Sequence, residues 1–110
     1  MLVPQTPLAG KSVPKWVDAL PTFVGLRQSG AEIPVEMLEF QQRVLPAALY
    51  SALPPPFNAG TYVWGYNVNN VGPVYPGVTV EARRGVPQRM VYINNLPGSG
   101  SVVQQYITID

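Results

Sequence analysis

Alternating apolar and polar residues in the stretch from 61 to 97 constrain the fold of this chain most. Val78, Val80 and Ala82 are each followed by a polar residue, which is the period of a strand that buries one face. Residues 84–87, with the sequence RGVP, interrupt the pattern, and residues 89–93 alternate again. The pattern predicts two strands joined by a turn in a hairpin-like unit, whose turn type stays open.

A row of three aromatic side chains precedes that unit, on a predicted strand within residues 61–70. Tyr62, Trp64 and Tyr66 are spaced by two and therefore share one side of the strand. Such a row, which we call the aromatic stripe, is typical of a core or a domain interface. Its three members are packing or interface candidates, and the asparagines that follow them predict a turn.

Residues 102–110, VVQQYITID, predict a further strand, because they are rich in β-branched side chains. A domain rarely stops on a strand with no polar tail, since an open edge invites mispairing. We therefore expect this chain to be a fragment, or one subunit of a split protein, whose sheet other polypeptide completes.

Residues 1–30 contain four prolines, whose spacing prevents a long helix. We predict an extended, proline-rich arm that lies on a neighbouring domain, with Trp16, Leu20 and Phe23 as its anchors because such side chains bury much apolar area. A mobile tail is the alternative.

Residues 33–45 fit two structures. Apolar residues recur there at steps of four, three and four, as on a helix: Ile33, Met37, Phe40 and Val44. Pro34 favours a strand instead. Glu36 and Glu39 would share a face only on a helix, so we interpret them as surface carboxylates rather than an acid–base pair.

A proline triplet marks residues 46–60. Residues 53–57, LPPPF, could form a polyproline II segment for an aromatic groove. The plainer interpretation is a rigid loop that packs on the domain and leads into the next strand.

Composition points to one small domain whose surface is covered by other protein. The 110 residues are 46% hydrophobic but only 12% charged, against roughly 25% in average proteins. A formal charge of +1 gives no reason to expect nucleic acid as a partner. The N-terminus lacks the pattern of a signal peptide, and no apolar run is long enough to predict a membrane span.

The chain contains no Cys and no His, the usual ligands of copper and zinc. Met37 and Met90 are soft side chains, but core packing is the better interpretation without Cys or His beside them. We predict no catalytic residue and no metal ligand in this chain.

Six short motifs follow one another along the chain: residues 16–21 (WVDALP), 37–43 (MLEFQQR), 53–55 (LPP), 64–67 (WGYN), 75–85 (YPGVTVEARRG) and 94–97 (NNLP). In this order they resemble the first cupredoxin domain of bacterial multicopper oxidases, in particular the spore-coat laccase and bilirubin oxidase branch. Val78 departs from the family, which usually has a proline there. The resemblance favours a strand over a helix for residues 33–45.

The resemblance implies an all-β fold, a cupredoxin-like Greek-key β-sandwich that is incomplete in this chain and occupies residues 31–110. It also implies copper in the complete enzyme, where substrates are oxidised one electron at a time and dioxygen is reduced to water. The copper ligands of that family are His and Cys, so the remaining polypeptide of the oxidase would be the partner that carries them. An extracytoplasmic or spore-coat location is implied in the same way.

Two hypotheses therefore stand. In the first, the chain is a scaffold segment that completes a cupredoxin domain of a laccase-like oxidase. In the second, it is a free-standing β-sandwich interaction module without catalysis, which contacts its partner through the aromatic stripe or the proline triplet.

Overall fold

The computed structural model describes residues 8–20, 22 and 24–98, and this part of the chain is mostly β-structure. Its elements, in chain order, are a 3₁₀ turn at Gly10–Ser12, strand β1 at Glu32–Gln42, helix α1 at Ala47–Ser51, a 3₁₀ turn at Phe57–Ala59, and strands β2 at Thr61–Val68, β3 at Pro73–Val74 and β4 at Arg89–Asn95. The mainly β class predicted from the sequence is confirmed. The predicted strand at residues 102–110 lies outside the described residues.

The four strands form one mixed sheet in the order β3-β2-β1-β4. β1 is its longest strand, at 11 residues, and lies at the centre between β2 and β4. It pairs antiparallel with β2, from Val35 opposite Val68 to Gln42 opposite Thr61. It pairs in parallel with β4.

The prediction of a strand for residues 33–45 is confirmed by β1. Pro34 is accommodated within the strand, where its ring has no N–H to contribute to the ladder. The helical spacing of the apolar residues was misleading, because these residues are divided between the two faces of the sheet. Ile33 and Met37 have odd numbers and lie on one face of β1. Phe40 and Val44 have even numbers, which along a strand correspond to the other face.

The predicted hairpin between residues 78–83 and 89–93 is wrong. β4 exists, but its partner is β1, and residues 78–83 contribute only an isolated parallel bridge between Val80 and Gln28. After the turn at residues 83–86, the chain runs along the edge of β1 that faces away from β2. There the N–H of Arg89 donates to the Ala31 carbonyl at 2.8 Å. Alternation predicted a strand at residues 78–83, where the structure has one bridge and no ladder, because alternation does not identify a pairing partner.

The hydrophobic core lies on one face of the sheet, at the end where β1 begins and β2 ends. Ile33, Val35, Val68 and Val78 are its buried members. Leu26, Val74 and Val80 pack against them from the segments that cover this end. The core therefore exists only where residues 26–28 and 74–80 lie over the sheet.

A second anchor holds the segment between β1 and β2. The Tyr50 side chain of α1 is buried, and its hydroxyl oxygen accepts hydrogen bonds from the N–H groups of Val44 and Leu45 at 3.0 and 3.1 Å. The same hydroxyl lies 2.7 Å from Thr61 Oγ1. The segment is thus a packed connection, as predicted, with a short helix that the sequence pattern did not predict. Pro56 has helical backbone angles rather than those of polyproline II.

The turn predicted after β2 is confirmed. Asn69 and Asn70 adopt positive φ angles of 53° and 59°, a conformation that Asn tolerates better than most residues. The side chain of Asn67 closes the turn by accepting a hydrogen bond from Gly72 N–H at 2.9 Å.

Candidate interaction surface

The aromatic stripe lies on the same face as the core, and the segments that cover the core reach it only at Tyr66. Trp64 is 53% exposed and Tyr66 is 43% exposed, so neither is a core residue. Trp64 donates its indole N–H to Glu39 Oε2 at 2.8 Å, from the position directly opposite on β1. This bond fixes the indole in place and leaves its ring accessible.

The other two members of the stripe are supported from the side. The ring of Tyr66 lies against Gly77, where an added Cβ would come within 3.4 Å of the ring. Tyr62 is half-buried, and Phe57 meets it edge-on with ring centroids 6.4 Å apart. The stripe is therefore a row of aromatic rings, each held in place by one neighbour, rather than three loose side chains.

Gly65 lies between two stripe residues of β2 and faces the opposite side of the sheet, where the packing is close. Gly65 is buried, and a Cβ built there would lie 2.9 Å from the ring of Phe40 and 3.1 Å from the Val74 carbonyl oxygen. Phe40 thus closes over the backbone of β2 beneath the stripe. This close approach makes glycine a packing requirement at position 65.

The predicted anchors of the N-terminal arm are exposed where the structure describes them. Trp16 is 98% exposed and Leu20 is 85% exposed, whereas Phe23 lies outside the described residues. Between them, Asp18 accepts a hydrogen bond from the N–H of Ala47 at 2.8 Å, which ties this segment to the start of α1. The division between an arm and a domain at residue 30 stays a prediction.

β4 has further exposed apolar side chains, on both of its faces, which the sequence pattern does not single out as a surface. Tyr92 is 59% exposed, Ile93 44% and Met90 38%. Packing of Met90 in a core was therefore a wrong prediction, and its sulfur instead lies 3.9 Å from the Tyr92 hydroxyl. Strand alternation alone could not reveal this surface, because exposure depends on which strand lies at the edge of the sheet.

Glu36 is the polar centre of the opposite face. Its carboxylate accepts hydrogen bonds from the side-chain amides of Asn95 at 2.6 Å and Asn67 at 3.1 Å, and so links β1 to both neighbouring strands. These two bonds, that from Asn95 foremost, favour the ionised form and lower the pKa of Glu36. The interpretation of Glu36 as a solvated carboxylate missed this role. In the sequence, only the asparagines of β2 and β4 indicated that Glu36 links these strands.

The two carboxylates of β1 do not act together. Glu36 and Glu39 lie on opposite faces of the strand and have different hydrogen-bond partners. The ion pairs on the surface, Arg27–Glu81 at 2.7 Å and Arg89–Glu32 at 3.2 Å, have well exposed side chains and contribute little to stability.

The residues of this chain do not fit a copper centre. Copper sites of the oxidase type need His and Cys ligands, and the sequence contains neither. In the described part of the chain, no group of three or more acidic, His or Cys side chains could hold a metal ion. The residues of this chain therefore supply no ligand set for copper of that type.

Comparison of the chain with protein-family models, with curated proteins and with solved structures gave no match. Within residues 8–20, 22 and 24–98, no helix combines the length and the apolar character that a membrane span requires.

Proposed function

We propose that this chain is a scaffold segment of a laccase-like multicopper oxidase. It completes a cupredoxin-like Greek-key β-sandwich by docking on the remaining polypeptide, which carries the copper ligands. The contribution of the chain is structural, because the ligands that copper needs are missing from its sequence.

The ordered resemblance of six motifs to the first cupredoxin domain carries this proposal. The mainly β architecture is compatible with it, and three of the motifs fall on β1, β2 and the end of β4. The exposed aromatic stripe supports it further, because contiguous aromatic surface on a small domain marks a place of contact with another protein.

Native mass spectrometry with copper analysis, on material purified from its source, tests the proposal. We expect the chain to travel with a larger polypeptide that contains His, Cys and bound copper. Isolation as a lone, copper-free, folded monomer would contradict the proposal and favour the free-standing interaction module.

A matched pair of variants tests the docking surface. Tyr66→Ser removes an exposed ring from the stripe and should weaken association with the larger polypeptide. Tyr75→Ser removes a ring that is somewhat more exposed, at 52% against 43% for Tyr66, from a position outside the stripe, and should leave association unchanged. Equal effects of the two substitutions would exclude the stripe as the docking surface.

A further inference from the structure

The outer edge of β4 has backbone groups that point away from the sheet. The N–H of Arg89 donates to the Ala31 carbonyl, so it faces β1. Because N–H and C=O groups of successive residues point to alternate sides of a strand, those of Met90, Tyr92 and Asn94 face outward. Among the described residues, no strand pairs with this edge.

This edge has few of the features that normally prevent strand addition. Residues 89–95 contain no proline and no lysine, and the one charged residue, Arg89, is at the end of the strand. Exposed apolar side chains project from both faces, with Tyr92 on one face and Ile93 on the other. An edge of this kind is a template for another strand.

Two copies of β4 fit each other as antiparallel strands when Tyr92 lies at the centre of the pair. In an antiparallel pair of two β4 strands centred there, Tyr92 opposes Tyr92 and Met90 opposes Asn94, so every outward backbone group meets another. On the opposite face Val91 then opposes Ile93, which covers the exposed part of Ile93. No like charges are brought together.

The length of β4 selects this register over its neighbours, because Tyr92 is the midpoint of Arg89–Asn95 and centring there pairs all seven residues of the strand. Centring at Tyr92 places Arg89 of one copy opposite Asn95 of the other, and Asn95 is bonded to the carboxylate of Glu36. A guanidinium therefore approaches a carboxylate at each end of the pair. Centring at Val91 or at Ile93 would place two residues of β4 in each copy opposite residues outside the strand. The bond of Arg89 to its own Glu32 is exposed and does not prevent this contact.

We propose that two copies of this chain associate through their β4 edges, as antiparallel strands related by a two-fold axis at Tyr92. The dimer is isologous, with the same surface contributed by both copies. It goes beyond the proposed function, because it concerns contact between copies of this chain and uses β4 rather than the aromatic stripe of β2.

Sedimentation velocity of the purified full chain over a range of concentrations tests the association. We expect the mass to rise from 12.0 kDa towards twice that value as concentration increases. A mass that stays at one chain throughout the range, or that rises without limit, would overturn the proposal.

Two substitutions at Tyr92 separate the backbone contact from the side chain. Tyr92→Pro removes the central outward N–H and is tolerated where that group faces solvent. It should raise the dimer dissociation constant about tenfold or more, since two central hydrogen bonds are lost. Tyr92→Val keeps the N–H and a side chain suited to a strand, so it should still dimerise. A Tyr92→Pro chain that dimerises as tightly as the parent would contradict strand pairing.

Hydrogen exchange of the unmodified chain gives a test that does not depend on the folding of any variant. The amides of Met90, Tyr92 and Asn94 should become protected as concentration rises. Those of Val91 and Ile93, which face β1, should exchange equally at low and high concentration. The absence of any change at Tyr92 would exclude the proposed edge.

Charge reversal tests the approach of Arg89 to Glu36 of the second copy. Arg89→Glu places a carboxylate near Glu36 of the second copy and should weaken the dimer. Arg84→Glu makes the same change in net charge in the turn before β4 and should leave association unchanged. Equal weakening by both substitutions would contradict the contact of Arg89 with the second copy that the paired β4 edges require.

Discussion

One face of the sheet is closed at one end and open at the other. At the closed end, Ile33 and Val68 are almost inaccessible, whereas at the open end Trp64 and Tyr66 remain about half exposed. Both regions lie on the same face of β1 and β2, and both contain large apolar or aromatic side chains. The difference comes from residues 26–28 and 74–80, which cover the closed end and reach the open end only where Gly77 lies against the ring of Tyr66. Burial in this protein therefore depends on where connecting segments cross the sheet.

The first prediction compares an Ile-to-Ala substitution at a buried position with the same substitution at an exposed position. Ile33→Ala removes a fully buried side chain and should lower the free energy of unfolding by about 2–5 kcal/mol, because a cavity adds to the lost burial. Ile93→Ala, at a site that is 44% exposed, should cost less than about 1 kcal/mol. Urea denaturation followed by circular dichroism gives both values, and equal costs would remove the distinction between closed and exposed regions.

The second prediction concerns the packing beneath the aromatic stripe. Gly65→Ala forces a methyl group against the Phe40 ring and the Val74 carbonyl, and should destabilise the fold by about 1–3 kcal/mol. Gly10→Ala is the matched control, because an added Cβ there meets nothing within 4 Å. If thermal or urea denaturation showed that Gly65→Ala leaves the stability unchanged, the open end would be loosely packed on both faces.

The third prediction examines polar anchoring. Tyr50→Phe leaves the N–H groups of Val44 and Leu45 without the hydroxyl oxygen that accepts from them, and should lower the free energy of unfolding by about 1–3 kcal/mol. Tyr75→Phe removes a hydroxyl from an exposed ring and should have little effect. Equal stability of the two variants in urea would show that the connection is held by the ring alone.

The smallest expected effect is a pH dependence that originates at Glu36. Its pKa is lowered in the folded protein from an ordinary value of 4.5, so the stabilisation is complete above that pH. It is lost as pH falls through the lowered pKa. Glu36→Gln should therefore reduce the loss of stability between about pH 5 and pH 2, measured by urea denaturation. An unchanged pH profile would show that the bonds from Asn67 and Asn95 have no energetic coupling to ionisation.

Local patterns predicted much of the secondary structure. β2, β4, the asparagine turn at residues 69–70 and the mainly β class followed from alternation, β-branched content and turn chemistry. Pattern alone left residues 33–45 open between helix and strand. The pattern also failed to predict α1, because a helix of five residues is too short to show a helical period.

Local sequence patterns were enough to predict β2, β4 and the turn after β2, and composition alone shows that His and Cys ligands are missing. Three features followed only from the packing of the whole chain: β4 pairs with β1 rather than with residues 78–83, Glu36 links three strands, and Trp64 and Tyr66 of the aromatic stripe stay exposed. The physical reason is that alternation specifies the faces of a strand and not its partner. Partners and coverage depend on contacts between segments distant in the chain, which no local pattern encodes.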